Sequence, residues 1–137
     1  MPVNFTVTFK GPIFENAPAK VQNGIGDILQ AGIEAGEDRL DQMLRPRPAG
    51  VYLAVTGPQG SKGNYRRNVH GRLQDNLHAL ITDGGVVYGP WLEGTSSRND
   101  TSRFKGYSSF RKTRDWLEKE IVGIADRVIK KLMRKLD

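Results

Sequence analysis

The chain has no cysteine and only two histidines among its 137 residues. Without thiols, disulfides and thiolate metal sites are excluded, so the fold must hold by packing, or by packing plus oligomerisation. His70 and His78 fall on adjacent predicted hairpin strands, where they are expected to lie across from each other. Two imidazoles without a third ligand make a weak metal site, because zinc sites normally take at least three protein ligands. The G-x-S-x-G elbow, the H-E-x-x-H helix and the Rossmann glycine fingerprint are all missing. Asp83 is a carboxylate that offers itself as a base, but turn formation accounts for Asp83-Gly84-Gly85. The expectation is a protein that is not an enzyme and takes neither cofactor nor metal. No apolar run approaches the roughly 20 residues that span a bilayer. The opening Met1-Pro2-Val3-Asn4 lacks a charged region followed by an apolar one, so no secretory leader is expected. Internal repeats and low-complexity tracts are absent as well.

What is present is an ordinary globular composition, 37% apolar and 26% charged. The length suits a single domain over residues 1–137. Charge is unevenly spread. Residues 1–44 hold three basic and six acidic residues, a balance of −3, whereas residues 45–137 hold eighteen and nine, a balance of +9. Such asymmetry suggests one acidic and one basic surface, the second suited to nucleic acid or an acidic partner.

Val3, Phe5, Val7 and Phe9 alternate with polar residues, the period of a half-buried strand, and Gly11-Pro12 ends it. Asn16 then reads as an N-cap, with Pro18 in the first turn. Val21, Ile25, Ile28, Leu29, Ile33, Leu40, Met43 and Leu44 recur at three, four and seven, giving one long helix with the acids Glu34, Glu37, Asp38 and Asp41 opposite its apolar stripe. Gly32 and Gly36 lie on or beside the stripe. Each weakens a helix by about 1 kcal/mol relative to Ala, so close packing against another element is expected there. Arg45-Pro46-Arg47-Pro48 stops the helix.

Val51–Val55 reads as a short buried strand and Gly57–Gly63 as a flexible loop. Lys62 is followed by Gly63, so the phosphate-loop spacing is not met and nucleotide binding is not expected. Asn64–Gln74 and Leu77–Thr82 read as two strands joined by a turn at Asp75-Asn76. After the Asp83-Gly84-Gly85 turn, Val86-Val87-Tyr88 resumes the chain and Gly89-Pro90 diverts it into one helical turn closed by Gly94. The final segment is a second long helix, with Phe110, Leu117, Ile121, Ile124, Val128, Leu132 and Leu136 on one face and a cationic end. The order predicts an α+β fold: an antiparallel sheet of four to five strands, with the two long helices packed on one side.

Residues 95–109 read as a polar, basic loop. Arg98, Arg103, Lys105, Arg111, Lys112 and Arg114 crowd together, with Phe104, Tyr107 and Phe110 interleaved. Cations and aromatics in a loop can track a single nucleic-acid strand by charge and stacking. The competing role of the aromatics, structural anchoring, is favoured because Phe110 fits the helix stripe and Phe104 can anchor the loop to a neighbour. A basic nucleic-acid-binding module using residues 98–114 and the last helix is therefore the alternative reading. Both loops, 57–63 and 95–109, are expected to be mobile in the monomer and ordered by neighbours. Glu93, in an apolar turn, needs a partner, and an Arg67–Glu93 pair locking turn to sheet is expected.

Two segments together resemble the tail-component, or tail-completion, family of long-tailed bacteriophages. Gly63-Asn64-Tyr65-Arg66-Arg67-Asn68-Val69 is similar to that family's threonine-glycine-asparagine-leucine-arginine-arginine-serine-isoleucine run. Val87-Tyr88-Gly89-Pro90-Trp91-Leu92-Glu93-Gly94-Thr95 is similar to its valine-x-tyrosine-alanine-x-x-valine-glutamate-x-glycine-threonine signature. Gly106–Lys112 occupies the place of the family's aromatic-centred entry to a C-terminal amphipathic helix. Departures exist: Lys62 replaces the threonine, Tyr65 stands for leucine, Leu92-Glu93-Gly94 is tighter than the common form, and no proline precedes Phe110. The resemblance implies a virion protein, present in the host cytoplasm during assembly, that forms a ring, commonly hexameric, at the head-proximal end of the tail. Its partners would be its own copies, tail-tube or tail-terminator proteins and connector or stopper proteins, with packaged DNA passing through and no membrane involved. Arg66, Arg67, Tyr88, Pro90, Trp91, Glu93, Gly94 and Thr95 carry the structural motif. Lys62, Arg98, Arg103, Phe104, Lys105, Arg111, Lys112 and Arg114 are the candidate contacts to partners or the DNA lumen.

Overall fold

The computed structural model describes residues 2–16, 18–45 and 64–136. The expected strand Val51–Val55, the loop 57–63 and its Lys62 lie outside the described residues. Among the described residues the sheet has three strands: β1 (Asn4–Thr8), β2 (His70–Asp75) and β3 (His78–Thr82). All pairings are antiparallel and the order is β1-β3-β2, so β3 is central. The alternation of β1 works as expected, with Phe5 buried between exposed Asn4 and Thr6. β3 is buried along most of its length, as a central strand must be.

Among the described residues six helices accompany the sheet: α1 (Pro12–Glu15), α2 (Ala19–Met43), α3 (Asn64–Asn68), α4 (Gly89–Glu93), α5 (Ser97–Thr101) and α6 (Ser109–Leu136). The two long ones, α2 and α6, cover one face. Phe5, Ile81 and Gly71 stand side by side across the three strands and so share that face. Phe110 of α6 meets Phe5 edge-on at 6.3 Å between ring centroids. On α2, a Cβ placed on Gly36 would sit 2.5 Å from the Ile81 terminal methyl, so the helix approaches the sheet closely enough that any larger residue would force Ile81 to shift. Gly32 faces Ile121 of α6 at 3.3 Å in the same sense. The close packing expected at these two glycines is thus realised. Val3, Phe5, Leu40, Leu44, Tyr65, Ile81, Phe110, Leu117 and Ile124 form the main core. Truncating a fully buried leucine such as Leu40 to alanine is worth about 2–5 kcal/mol.

The architecture is α+β with an antiparallel sheet. Several local details differ from or sharpen the expectation. Asn64–Asn68 is a helical turn, and β2 begins only at His70. Where Val86-Val87-Tyr88 resumes the chain it does so as a turn at Val87 and Tyr88, with Gly84 and Gly85 at positive φ before it and the Gly89 amide bonded back to the Val86 carbonyl at 2.9 Å. The residue flanking the start of α2 is Pro18, which donates no side-chain cap, and the chain before Asn16 forms α1. His70 stands opposite Thr82, not His78. His78 instead lies 2.6 Å from Asp75 at the hairpin turn, and that bond, with the Leu77 amide, holds the Asp75 carboxyl below its ordinary value.

Candidate functional site

The two segments that carry the sequence resemblance meet at Tyr65, which packs on Tyr88 and also bonds a buried carboxylate. Asp83, fully buried, accepts the Val3 amide (3.1 Å) and the Gly85 amide (2.9 Å) on Oδ1 and the Tyr65 hydroxyl (3.0 Å) on Oδ2. Its own amide returns a bond to the Val3 carbonyl at 2.9 Å. The turn expected at Asp83 is present, but its carboxylate also ties β1, α3 and the turn together. Tyr65 lies 6.0 Å from Tyr88 between ring centroids, so the first segment packs directly on the second. Arg66 reaches the other way, to Asp41 of α2 at 2.9 Å. Arg67 is exposed.

The second segment builds α4, which starts at Gly89-Pro90 and ends at Gly94 in the left-handed region (φ 108°). Glu93 closes it with a side chain 7% exposed. The expected arginine partner is not what Glu93 finds. Its Oε1 accepts the amide of Phe110 at 2.9 Å and its Oε2 the amide of Arg111 at 3.0 Å. These are among the first amides of α6, which have no partner within the helix. A carboxylate there satisfies two donors and faces the positive end of the helix dipole. The Glu93 carbonyl accepts both the amide (3.0 Å) and the hydroxyl (3.3 Å) of Ser108. Burial pushes the Glu93 carboxyl above its ordinary value of 4.5, opposed by the two amide bonds and the Arg111 charge and reinforced slightly by Asp83. With both oxygens engaged, Glu93 fastens α4 to α6.

The fastening needs an unusually close passage of backbone. A Cβ on Gly106 (φ 95°) would collide with the Gly94 backbone, and one on Gly94 would collide with the Lys105 carbonyl. Ser108, the residue before α6, is held at φ 54°, a left-handed conformation that costs about 1–2 kcal/mol for a residue with a Cβ.

Between these glycines, residues 95–109 are not simply a loop. Ser96 and Asn99 form a reciprocal capping box at the start of α5. The buried Asn99 amide donates to the Trp91 and Phe104 carbonyls, each at 3.1 Å. Phe104 packs 5.0 Å from Trp91 and 5.0 Å from Tyr107, so the aromatics anchor the segment to α4. These bonds lie within the chain.

Lys105 places its ammonium on the Asn99 (2.9 Å) and Asp100 (3.3 Å) carbonyls. Arg98, Arg103, Arg111, Lys112 and Arg114 are exposed, with Arg114 turned to Asp115 at 3.1 Å. Arg111 and Arg114 share an open groove of about 640 Å³ with Glu93, Thr95 and Asn4. Arg98, Arg103 and Lys112 do not line it. Sequence reasoning missed Asp83 and Asn99 as organising groups. Ser96 three residues before Asn99 was the available signal for the second. Among the described residues, no three metal-ligating side chains converge, and no helix is long and apolar enough to cross a membrane. Compared with family models, curated proteins and solved structures, the chain matches none.

Proposed function

We propose that the chain is a structural subunit of a tailed-phage particle, one copy in a ring at the head-proximal end of the tail that joins the tail tube to the head–tail connector. The observation that carries this reading is the union of the two resembling segments: Tyr65 of the first rests on Tyr88 and Asp83, and Glu93 of the second sets the start of α6. Segments that resemble one family in order, and that also build one structural unit, have a shared reason to occur together. In this reading Tyr88, Pro90, Trp91, Glu93, Gly94 and Thr95 are scaffold, and none is asked to do chemistry. The exposed Arg98, Arg103, Arg111 and Lys112 are cations that can neutralise phosphates without reading bases, which suits a ring around packaged DNA.

The competing module that binds free nucleic acid by base stacking loses its aromatics, since Phe104 is packed between Trp91 and Tyr107. Mass measurement of the purified chain by light scattering, with negative-stain imaging, tests the proposal. A closed ring with weak affinity for free DNA is the expected result. A monomer that binds DNA tightly and with steep salt dependence overturns it.

A further inference from the structure

β1 is an edge strand whose outer side is open. In antiparallel pairing every second residue turns its N–H and C=O to the partner strand, and the residues between turn theirs outward. The Asp83 amide bonds the Val3 carbonyl and the Phe9 amide the Leu77 carbonyl, each at 2.9 Å. In the register of this pair, Val3, Phe5, Val7 and Phe9 therefore bond to β3, and Asn4, Thr6 and Thr8 direct their backbone groups away from the sheet. Among the described residues these outward groups have no partner. The other edge is closed. By the same alternation Gly71 of β2 points its amide outward, where the Glu37 carboxylate of α2 takes it at 3.3 Å. The irregularity between Leu73 and Asp75 then interrupts that edge.

Beside the open edge, β1 and α6 border a groove of about 290 Å³, with Phe5, Val7, Leu117 and Ile121 as its apolar lining and the exposed Arg114 and Glu118 at its rim. Free backbone donors and acceptors beside an apolar groove select an extended strand: main-chain bonds hold it, and alternate side chains enter the groove.

The chain itself carries such a segment. Val51-Tyr52-Leu53-Ala54-Val55 is five apolar residues, as long as β1, set off by Pro46 and Pro48 before it and Gly57-Pro58 after it. Whichever parity turns inward, Val51, Leu53 and Val55 or Tyr52 and Ala54, the groove receives apolar side chains. The ends of the chain on either side of residues 46–63 are held together, since Arg66 of α3 meets Asp41 of α2 at 2.9 Å. α2 packs on β2 and β3, and α3 leads into β2. The chain thus leaves α2 and re-enters α3 on the side of the sheet away from the open edge. A donor segment on one side and an acceptor edge on the other join copies head to tail.

We propose that residues 51–55 of one copy add as a strand to the open edge of β1 in the next copy, with alternate side chains in the groove beside α6. The contact rests on the reading of the chain as a ring subunit, for which it supplies the joint.

The test uses the full chain, with light scattering and native mass spectrometry for assembly and circular dichroism for the fold. Thr6→Pro removes one outward amide and no β1–β3 bond, so the sheet is kept. It is expected to associate about tenfold more weakly than the parent or worse, because a buried carbonyl of the added strand is left without its donor. Thr6→Val keeps the amide and is expected to assemble like the parent. Tyr52→Asp/Leu53→Asp puts a charge on both faces of the donor strand and is expected to match Thr6→Pro, which keeps the test decisive if proline disturbs β1. The chain has no cysteine, so Thr6→Cys combined with Leu53→Cys, or with Ala54→Cys, reports the neighbour directly. Under oxidation one of these pairs is expected to give a ladder of covalently joined copies on denaturing gels.

A folded Thr6→Pro chain that assembles like the parent overturns this contact while leaving the ring reading standing. So does a disulfide closed within one chain, or none in either pair while the parent assembles. Open filaments joined through the same disulfide support the contact and defeat the ring. A parent chain that remains monomeric at millimolar concentration overturns both.

Discussion

The Glu93 carboxylate accepts the backbone amides of Phe110 and Arg111, 17 and 18 residues further along the chain, at 2.9 and 3.0 Å. A helix is thereby started by a side chain from outside it. Replacing Glu93 with alanine leaves two amides at the head of α6 without their acceptor, and the expected loss is about 2 kcal/mol, within the range for lost caps and unsatisfied buried donors. Glu93→Gln keeps one acceptor oxygen and is expected to lose roughly half as much. Urea unfolding of the three proteins measures both. Equal stability of the alanine variant and the parent removes Glu93 from this role.

The same carboxylate has a pH signature. Burial raises its folded-state value above 4.5, so between the unfolded and folded values the native state holds a proton that the unfolded chain has released. Stability from this group is therefore complete below the unfolded value and falls as pH rises through the folded one. The advantage of the parent chain over Glu93→Gln is expected to shrink as pH climbs upward from 4.5. Denaturation of both proteins at several pH values checks this. An advantage that grows with pH means that the two amide bonds outweigh burial.

Gly106→Ala forces a Cβ into the backbone of Gly94 while also requiring φ near 95° of a residue that disfavours it. The expected cost is about 3 kcal/mol or more, because neither backbone can give way without pulling Glu93 off α6. Thermal melting should show a large fall in midpoint. A change within experimental scatter would mean that the two segments are free to separate.

Tyr65→Phe deletes one of three donors to the buried Asp83 carboxylate. Leaving a buried acceptor short of a donor costs about 1–3 kcal/mol. The Tyr65–Tyr88 packing survives the change, so the loss reports the hydroxyl alone. Paired unfolding curves for Tyr65→Phe and Tyr88→Phe distinguish the hydrogen bond from general loss at the tyrosine pair.

The parts of this fold that were legible are those with a long period. Ile25 to Leu40 and Phe110 to Ile124 repeat at three, four and seven over several turns, and no single contact overrides so many positions. Asn64–Asn68 was not legible, since one turn of helix shows too few residues to tell its period from that of a strand. Glu93 was readable as a carboxylate in need of donors, but the donors are backbone amides, which every residue has and no residue type announces. Arg67 looked like the partner because sequence displays only side chains. Asn99 hid for a related reason: the usual capping box ends in glutamate or glutamine, and here the shorter amide takes that place and then reaches two carbonyls besides.

The order of synthesis gives the Glu93 cap one more consequence. The turn Gly89–Gly94 leaves the ribosome before any of α6 is made. Starting a helix is the slow, unfavourable step, while lengthening it is cheap. By the time Phe110 and Arg111 emerge, an acceptor for their amides already exists, and α6 can be seeded at Ser109 as it appears. The turn acts as a starter block for the helix that follows it, fixing where its first turn begins and hence which of its residues face the sheet.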